Sequence, residues 1–124
     1  MLTLRVIGGL YVLSALWCIF QLDVSSSALG FELINDSARV EYLSVYGGLQ
    51  LGLGMAMWFT SFKPNLLKSA LFFGLIFSSF LFLIRLIGVA VYNVNELMWM
   101  LLFLEGFIAL AFGGQCYRMK VSDR

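Results

Sequence analysis

Several residue types that build common functional sites are absent or scarce in this sequence. It contains no histidine, one proline and two cysteines. Without histidine, a histidine-ligated metal or haem site is excluded. Cys18 and Cys116 lack the close cysteine spacing of a metal site, and six methionines are interpreted as packing residues. We therefore expect no metal and no cofactor.

Charge is also scarce. Charged residues make up 12% of the sequence, against about 25% in a typical soluble domain. Hydrophobic residues reach 61%, and the mean hydropathy is +0.93. The net charge of +1 leaves no basic stripe to neutralise phosphates, so a nucleic-acid partner is excluded. The composition indicates an integral membrane protein, with the lipid bilayer as its main partner.

Four apolar stretches are long enough to cross a bilayer core, which takes about 20 residues per helix. The predicted transmembrane helices cover about 2–22, 40–62, 66–91 and 97–116. Short connections make neighbouring helices antiparallel. The predicted fold is therefore all-α, a single transmembrane domain over 1–124 with four helices in an up-down bundle.

The segments outside these helices leave alternatives open. The connection 23–39 either forms a short surface helix, capped by Ser25–Ser27 and continuing through 28–34, or an ordered loop. Asn35-Asp36-Ser37 is a helix-start signal. The tail 117–124 is polar and is expected to fray. A cleaved signal peptide is the alternative for the first stretch, although its uncharged run is long for one.

Lysine and arginine predict the orientation of the bundle. The basic residues lie near the N-terminus, around the second connection and in the tail: Arg5, Lys63, Lys68, Arg118, Lys120 and Arg124. The connection 23–39 is acidic by contrast. Both termini are therefore expected to be cytoplasmic and the loop 23–39 external. This topology puts Cys18 and Cys116 at opposite membrane faces, so no disulfide between them is expected.

Polar residues within the apolar stretches are the candidate site. Counting 1.5 Å per residue from the outer helix ends places Arg85 about 9 Å deep, Glu105 about 12 Å, Tyr46 about 8 Å and Gln50 about 14 Å. The four are expected to meet in one layer of the outer half. Glu41 would lie above them, near the interface.

A charge at membrane depth costs about 2.5–3.5 kcal/mol on insertion scales, so Arg85 and Glu105 are expected to pair. Three interpretations remain. The residues bind a small anionic or lipid-like ligand, or a proton, from outside. Alternatively, the ion pair only fixes helix packing in a structural or accessory subunit. In the third, Arg85 reaches up to outer head groups. Gly48 and Gly52 form a GxxxG pair that serves packing within the chain or a homodimer.

A resemblance to a known group rests on few residues. Glu41, the Tyr46-Gly47-Gly48-Leu49-Gln50 motif with Gly52 and Gly54, Arg85 and Glu105 together resemble the bacterial DUF4345 group. The pattern Arg5-Val6-Ile7-Gly8-Gly9-Leu10 looks like the broader DoxX-like set. The resemblance implies a four-helix protein of the bacterial inner (plasma) membrane. It implies no established enzymatic activity, and a DoxX-like redox component is a third alternative to ligand binding and a structural role.

Overall fold

The computed structural model describes residues 1–122, which are helical almost throughout and contain no strand in that range. The elements in chain order are α1 (Leu2–Phe20), α2 (Leu22–Ala28), α3 (Asp36–Tyr42), a π-helical segment (Leu43–Leu49), α4 (Gln50–Thr60), a 3₁₀ turn (Pro64–Leu66), α5 (Leu67–Val91) and α6 (Glu96–Ser122). The predicted all-α class is confirmed.

Among the described residues, three helical segments are long and apolar enough to cross a membrane: Leu2–Phe20, Pro64–Val91 and Glu96–Ser122. Their large apolar side chains are widely exposed, as Phe103 at 71% and Leu110 at 76% illustrate. Surfaces of this kind suit lipid rather than water. The remaining predicted span, 40–62, overlaps a continuous helical run over 36–60. This run is α-helical at both ends and π-helical at Leu43–Leu49.

Helix boundaries differ from the prediction in two polar segments, the connection 23–39 and the end of α6. The connection 23–39 begins within α2, Leu22–Ala28, which lies earlier than the expected surface helix. Gly30 follows, with a φ of +84° that glycine adopts freely. Asn35 does start α3, because its Oδ1 accepts a hydrogen bond from the Ala38 amide at 2.9 Å. Fraying was expected for the tail 117–124, but this prediction is wrong for 117–122, which belong to α6. Asp123 and Arg124 lie outside the described residues.

The chain forms two compact units, of which the first is Met1–Phe62. In it, α1 packs along α4 and the π-helical segment. The contact is close at Gly8 and Gly54: a Cβ on Gly8 would lie 2.8 Å from the Gly54 carbonyl oxygen. Small residues permit such backbone approach between apolar helices. At one end of the pair, the Met1 amino group donates to the Ser61 carbonyl at 2.8 Å, and Arg5 Nε donates to Ser61 Oγ at 3.2 Å.

The second unit begins at Lys63 and is built on a hairpin of α5 and α6, joined by residues 92–95. Gly74 near the start of α5 meets Phe112 late in α6, where a Cβ on Gly74 would lie 2.7 Å from the Phe112 ring. Arg85, late in α5, meets Glu105 in the first half of α6. The two helices are therefore antiparallel. Phe112 is fully buried, and Ser78 satisfies its hydroxyl by donating to the Gly74 carbonyl at 2.6 Å.

Candidate ligand-binding site

Arg85 and Glu105 form a two-pronged ion pair inside the α5–α6 hairpin. Arg85 Nε donates to Glu105 Oε2 at 2.6 Å, and Arg85 Nη2 donates to Glu105 Oε1 at 2.8 Å. Their side chains are 23% and 10% exposed, respectively. Parallel bonds of this type fix both distance and orientation, and they are stronger than neutral hydrogen bonds. The predicted pairing is thus present.

Chain geometry explains why these residues meet. Arg85 lies six residues before the end of α5 at Val91, which is roughly 9 Å along the helix axis. Glu105 lies nine residues after the start of α6 at Glu96, roughly 13 Å along its axis. Asn95 defines that start, because its Oδ1 accepts from the Met98 amide at 3.1 Å. Long charged side chains can bridge the small difference in height.

Met98 is a further member of the site that the sequence analysis missed. Arg85 Nη1 lies 3.3 Å from Met98 Sδ, which accepts a weak hydrogen bond. With the two bonds to Glu105, three of the five guanidinium N–H donors are used. A methionine in an apolar helix resembles any packing residue, so only its place in the first turn of α6 could have singled it out.

An open pocket of about 290 Å³ adjoins the guanidinium. Its lining residues are Leu81, Ile84, Arg85, Gly88, Val89, Tyr92, Val94 and Met98. Arg85 is the charged member of this largely apolar lining. A Cβ on Gly88 would meet open space. The volume lies just below the usual range for ligand pockets, about 300–1,000 Å³.

The other three predicted residues belong to the first unit. Gln50 Oε1 accepts a hydrogen bond from Ser14 Oγ at 3.1 Å. Tyr46 lies in the π-helical segment and stacks on Tyr42, with ring centroids 4.8 Å apart. Glu41 is exposed on α3. The structure therefore brings together Arg85 and Glu105, while the convergence of all five residues stays a prediction.

Tyr42 also joins a small polar cluster that the sequence analysis did not identify. It is 3% exposed, and its hydroxyl lies 3.0 Å from Ser25 Oγ and 3.5 Å from Cys18 Sγ. Phe31 packs edge-on against Tyr42, at a centroid distance of 5.5 Å. The cluster ties α1, α2 and α3 together. Cys18 is therefore part of a buried hydrogen-bonded contact.

Comparison of the chain with family models, curated proteins and solved structures finds no match. The resemblance to the DUF4345 group and to DoxX-like proteins accordingly stays a prediction. Function must be argued from the geometry of the α5–α6 hairpin.

Proposed function

We propose that this chain is a multi-pass membrane protein whose four spans are α1, the helical run 36–60, α5 and α6. Three helices of sufficient length and apolarity support membrane insertion. The helical run 36–60 would cover roughly 37 Å at the α-helical rise, enough for a fourth crossing. Excess lysine and arginine around the second connection and the tail supports cytoplasmic termini. We place the protein, with this orientation, in the inner membrane of a bacterium.

Within that frame, the pocket beside Arg85 binds a small lipid-like ligand that carries an anionic head group. The observation that carries this proposal is the position of Arg85: a guanidinium borders an open, otherwise apolar pocket of about 290 Å³. Apolar walls favour a hydrocarbon chain, and a guanidinium favours carboxylate or phosphate oxygens. The external end of the hairpin would admit the ligand. Tyr46 and Gln50 are proposed to complete the polar layer, with Glu41 near the entrance.

In this proposal the ligand takes the two N–H donors that Glu105 holds, so it competes with that carboxylate for the guanidinium. An anionic head group that displaces Glu105 leaves a carboxylate without its partner in a medium of low polarity, which is costly. Uptake of a proton by Glu105 removes that cost. Binding of an anionic ligand is therefore coupled to proton uptake in this proposal, whereas binding of a neutral ligand is not.

A structural or accessory role is the second candidate, favoured by the two-pronged contact itself. The pair is complete without a ligand, at 2.6 and 2.8 Å. A buried pair of this kind can specify how two helices align even where it adds little net stability. On this view the same residues hold the register of α5 and α6 and bind nothing.

Filling the pocket without touching the ion pair separates the two candidates. Gly88→Leu places a side chain into the pocket, while Gly114→Leu is a matched control because a Cβ at either glycine meets open space. The probes are palmitate and hexadecanol, added to the protein in phosphatidylcholine nanodiscs, with bound ligand counted by native mass spectrometry and proton uptake followed with a pH indicator. We expect palmitate to bind better than hexadecanol, and at least tenfold more weakly after Gly88→Leu. If both probes bind weakly and equally to the natural protein, Gly88→Leu and Gly114→Leu, the ligand-binding proposal fails and the structural role is favoured.

A further inference from the structure

A second pocket lies at the opposite end of the α5–α6 hairpin, away from the ion pair. It has a volume of about 270 Å³ and is lined by Lys68, Leu71, Phe72, Cys116, Met119 and Lys120. Lys68 belongs to the first turn of α5, and Lys120 to the last turn of α6. The antiparallel helices thus bring two ammonium groups from distant parts of the sequence to one opening.

The chemistry of this pocket divides into two halves. Lys68 and Lys120 are exposed and provide positive charge. Leu71 is fully buried, and Phe72 is 60% exposed on the outer surface of the helix, so these two provide an apolar wall. Such a combination fits a molecule with an anionic head and a hydrocarbon tail. A soluble anion would use only the lysines.

The surrounding charges reinforce this preference. In the described residues 63–72 and 112–122, four basic side chains occur. The four are Lys63, Lys68, Arg118 and Lys120. Basic pockets between helices at the cytoplasmic face are favourable positions for anionic lipid head groups.

We infer that this pocket holds one anionic glycerophospholipid of the surrounding bilayer. Its phosphate would lie between Lys68 and Lys120, and an acyl chain would run along Leu71 and Phe72. The inference rests on the proposed membrane span of the hairpin, with this end at the cytoplasmic face. It is independent of the ligand proposed beside Arg85, because the two pockets share no lining residue.

Lipid selectivity of matched variants tests the inference. The full chain is purified in mild detergent and given phosphatidylglycerol or phosphatidylcholine with identical acyl chains, and bound lipid is counted by native mass spectrometry. The double variant Lys68→Gln/Lys120→Gln is compared with Lys63→Gln/Arg118→Gln, which loses the same charge outside the pocket. Each lysine near an anionic lipid changes affinity by about fivefold. We therefore expect phosphatidylglycerol binding to fall at least tenfold in the first variant and less than threefold in the second.

Cys116 offers a second measurement that needs no substitution in the pocket. It is partly exposed in the pocket lining, whereas Cys18 is 1% exposed. In vesicles, phosphatidylglycerol should slow alkylation of Cys116 by N-ethylmaleimide at least threefold relative to phosphatidylcholine. A thiol introduced by Ser122→Cys, exposed at the same helix end, controls for the charge of the membrane surface.

Three results would overturn the inference. One is equal loss of phosphatidylglycerol from both double variants, which indicates general attraction to basic residues. Another is unchanged alkylation of Cys116 relative to the Ser122→Cys thiol. The third is equal protection of Cys116 by inorganic phosphate in phosphatidylcholine vesicles, which would assign the lysines to a soluble anion.

Discussion

The backbones of Gly8 and Gly54 approach each other so closely that neither position has room for a side chain. A Cβ on Gly54 would lie 2.7 Å from the Gly8 carbonyl oxygen, and one on Gly8 would lie 2.8 Å from the Gly54 carbonyl oxygen. The two residues are separated by most of the first unit in sequence. Their contact fixes the register of α1 against α4, since sliding either helix would drive a larger side chain into this position.

The first prediction concerns this contact. Gly54→Ala must displace backbone or the neighbouring Val12 side chain, which would lie 2.8 Å from the new Cβ. Overpacking of this type costs about 1–3 kcal/mol. Gly52→Ala is the matched control, because a Cβ there meets nothing within 4 Å and alanine favours helix. Thermal unfolding in detergent should show a lower Tm for Gly54→Ala only. An unchanged Tm in both variants would contradict the close packing of α1 and α4.

The second prediction concerns the Arg85–Glu105 pair and its energetics. Arg85→Leu or Glu105→Leu alone leaves a charge without its partner and should lower the free energy of unfolding by about 3–5 kcal/mol, an upper range because the Arg85 side chain is 23% exposed. The double variant removes both charges and should recover to within about 1 kcal/mol of the natural protein. Chemical unfolding in mixed micelles measures all four proteins. A double variant no more stable than the weaker single variant would show that the charges do not act as an isolated pair.

The third prediction concerns orientation in the membrane. In a chain with Cys18→Ala and Cys116→Ala, single cysteines are introduced as Asn65→Cys and Asn93→Cys, both at exposed connections. Cytoplasmic termini require the Asn93 position to react with a membrane-impermeant maleimide in intact bacterial cells and the Asn65 position to react only after permeabilisation. The reverse pattern would invert the topology. Labelling of both positions in intact cells would mean that α5 does not cross the bilayer.

The Arg85–Glu105 pairing could be predicted because it depends on simple quantities. Both residues interrupt apolar runs, and both lie a similar number of residues from the connection 92–95. In an antiparallel hairpin, equal distances along the two helices place residues opposite each other. The helices α1, α5 and α6 could also be predicted, because hydropathy over about 20 residues is a property of the sequence alone.

Other features could not be predicted, since they depend on contacts between distant residues. Gly54 was one of several glycines in its stretch, and nothing in the local pattern distinguished it from Gly52 as the residue that touches α1. Met98 looks like any apolar residue until a guanidinium is placed beside it. The extension of α6 to Ser122 also exceeds the apolar stretch, because a helix can continue into polar residues once packing has fixed its beginning.

The π-helical segment Leu43–Leu49 has a consequence for the helical run 36–60 as a whole. A π-helical turn holds an extra residue relative to an α-helical turn, and one residue corresponds to about 100° of rotation about the axis. The π-helical segment lies between Tyr42, which contacts Ser25, and Gly54, which contacts Gly8. Its extra residue therefore adds about 100° of rotation between these two contacts. A homologous chain one residue shorter could keep both contacts by forming an α-helical turn here. Variation in length could thus be accommodated inside this helical run, with no change in any loop.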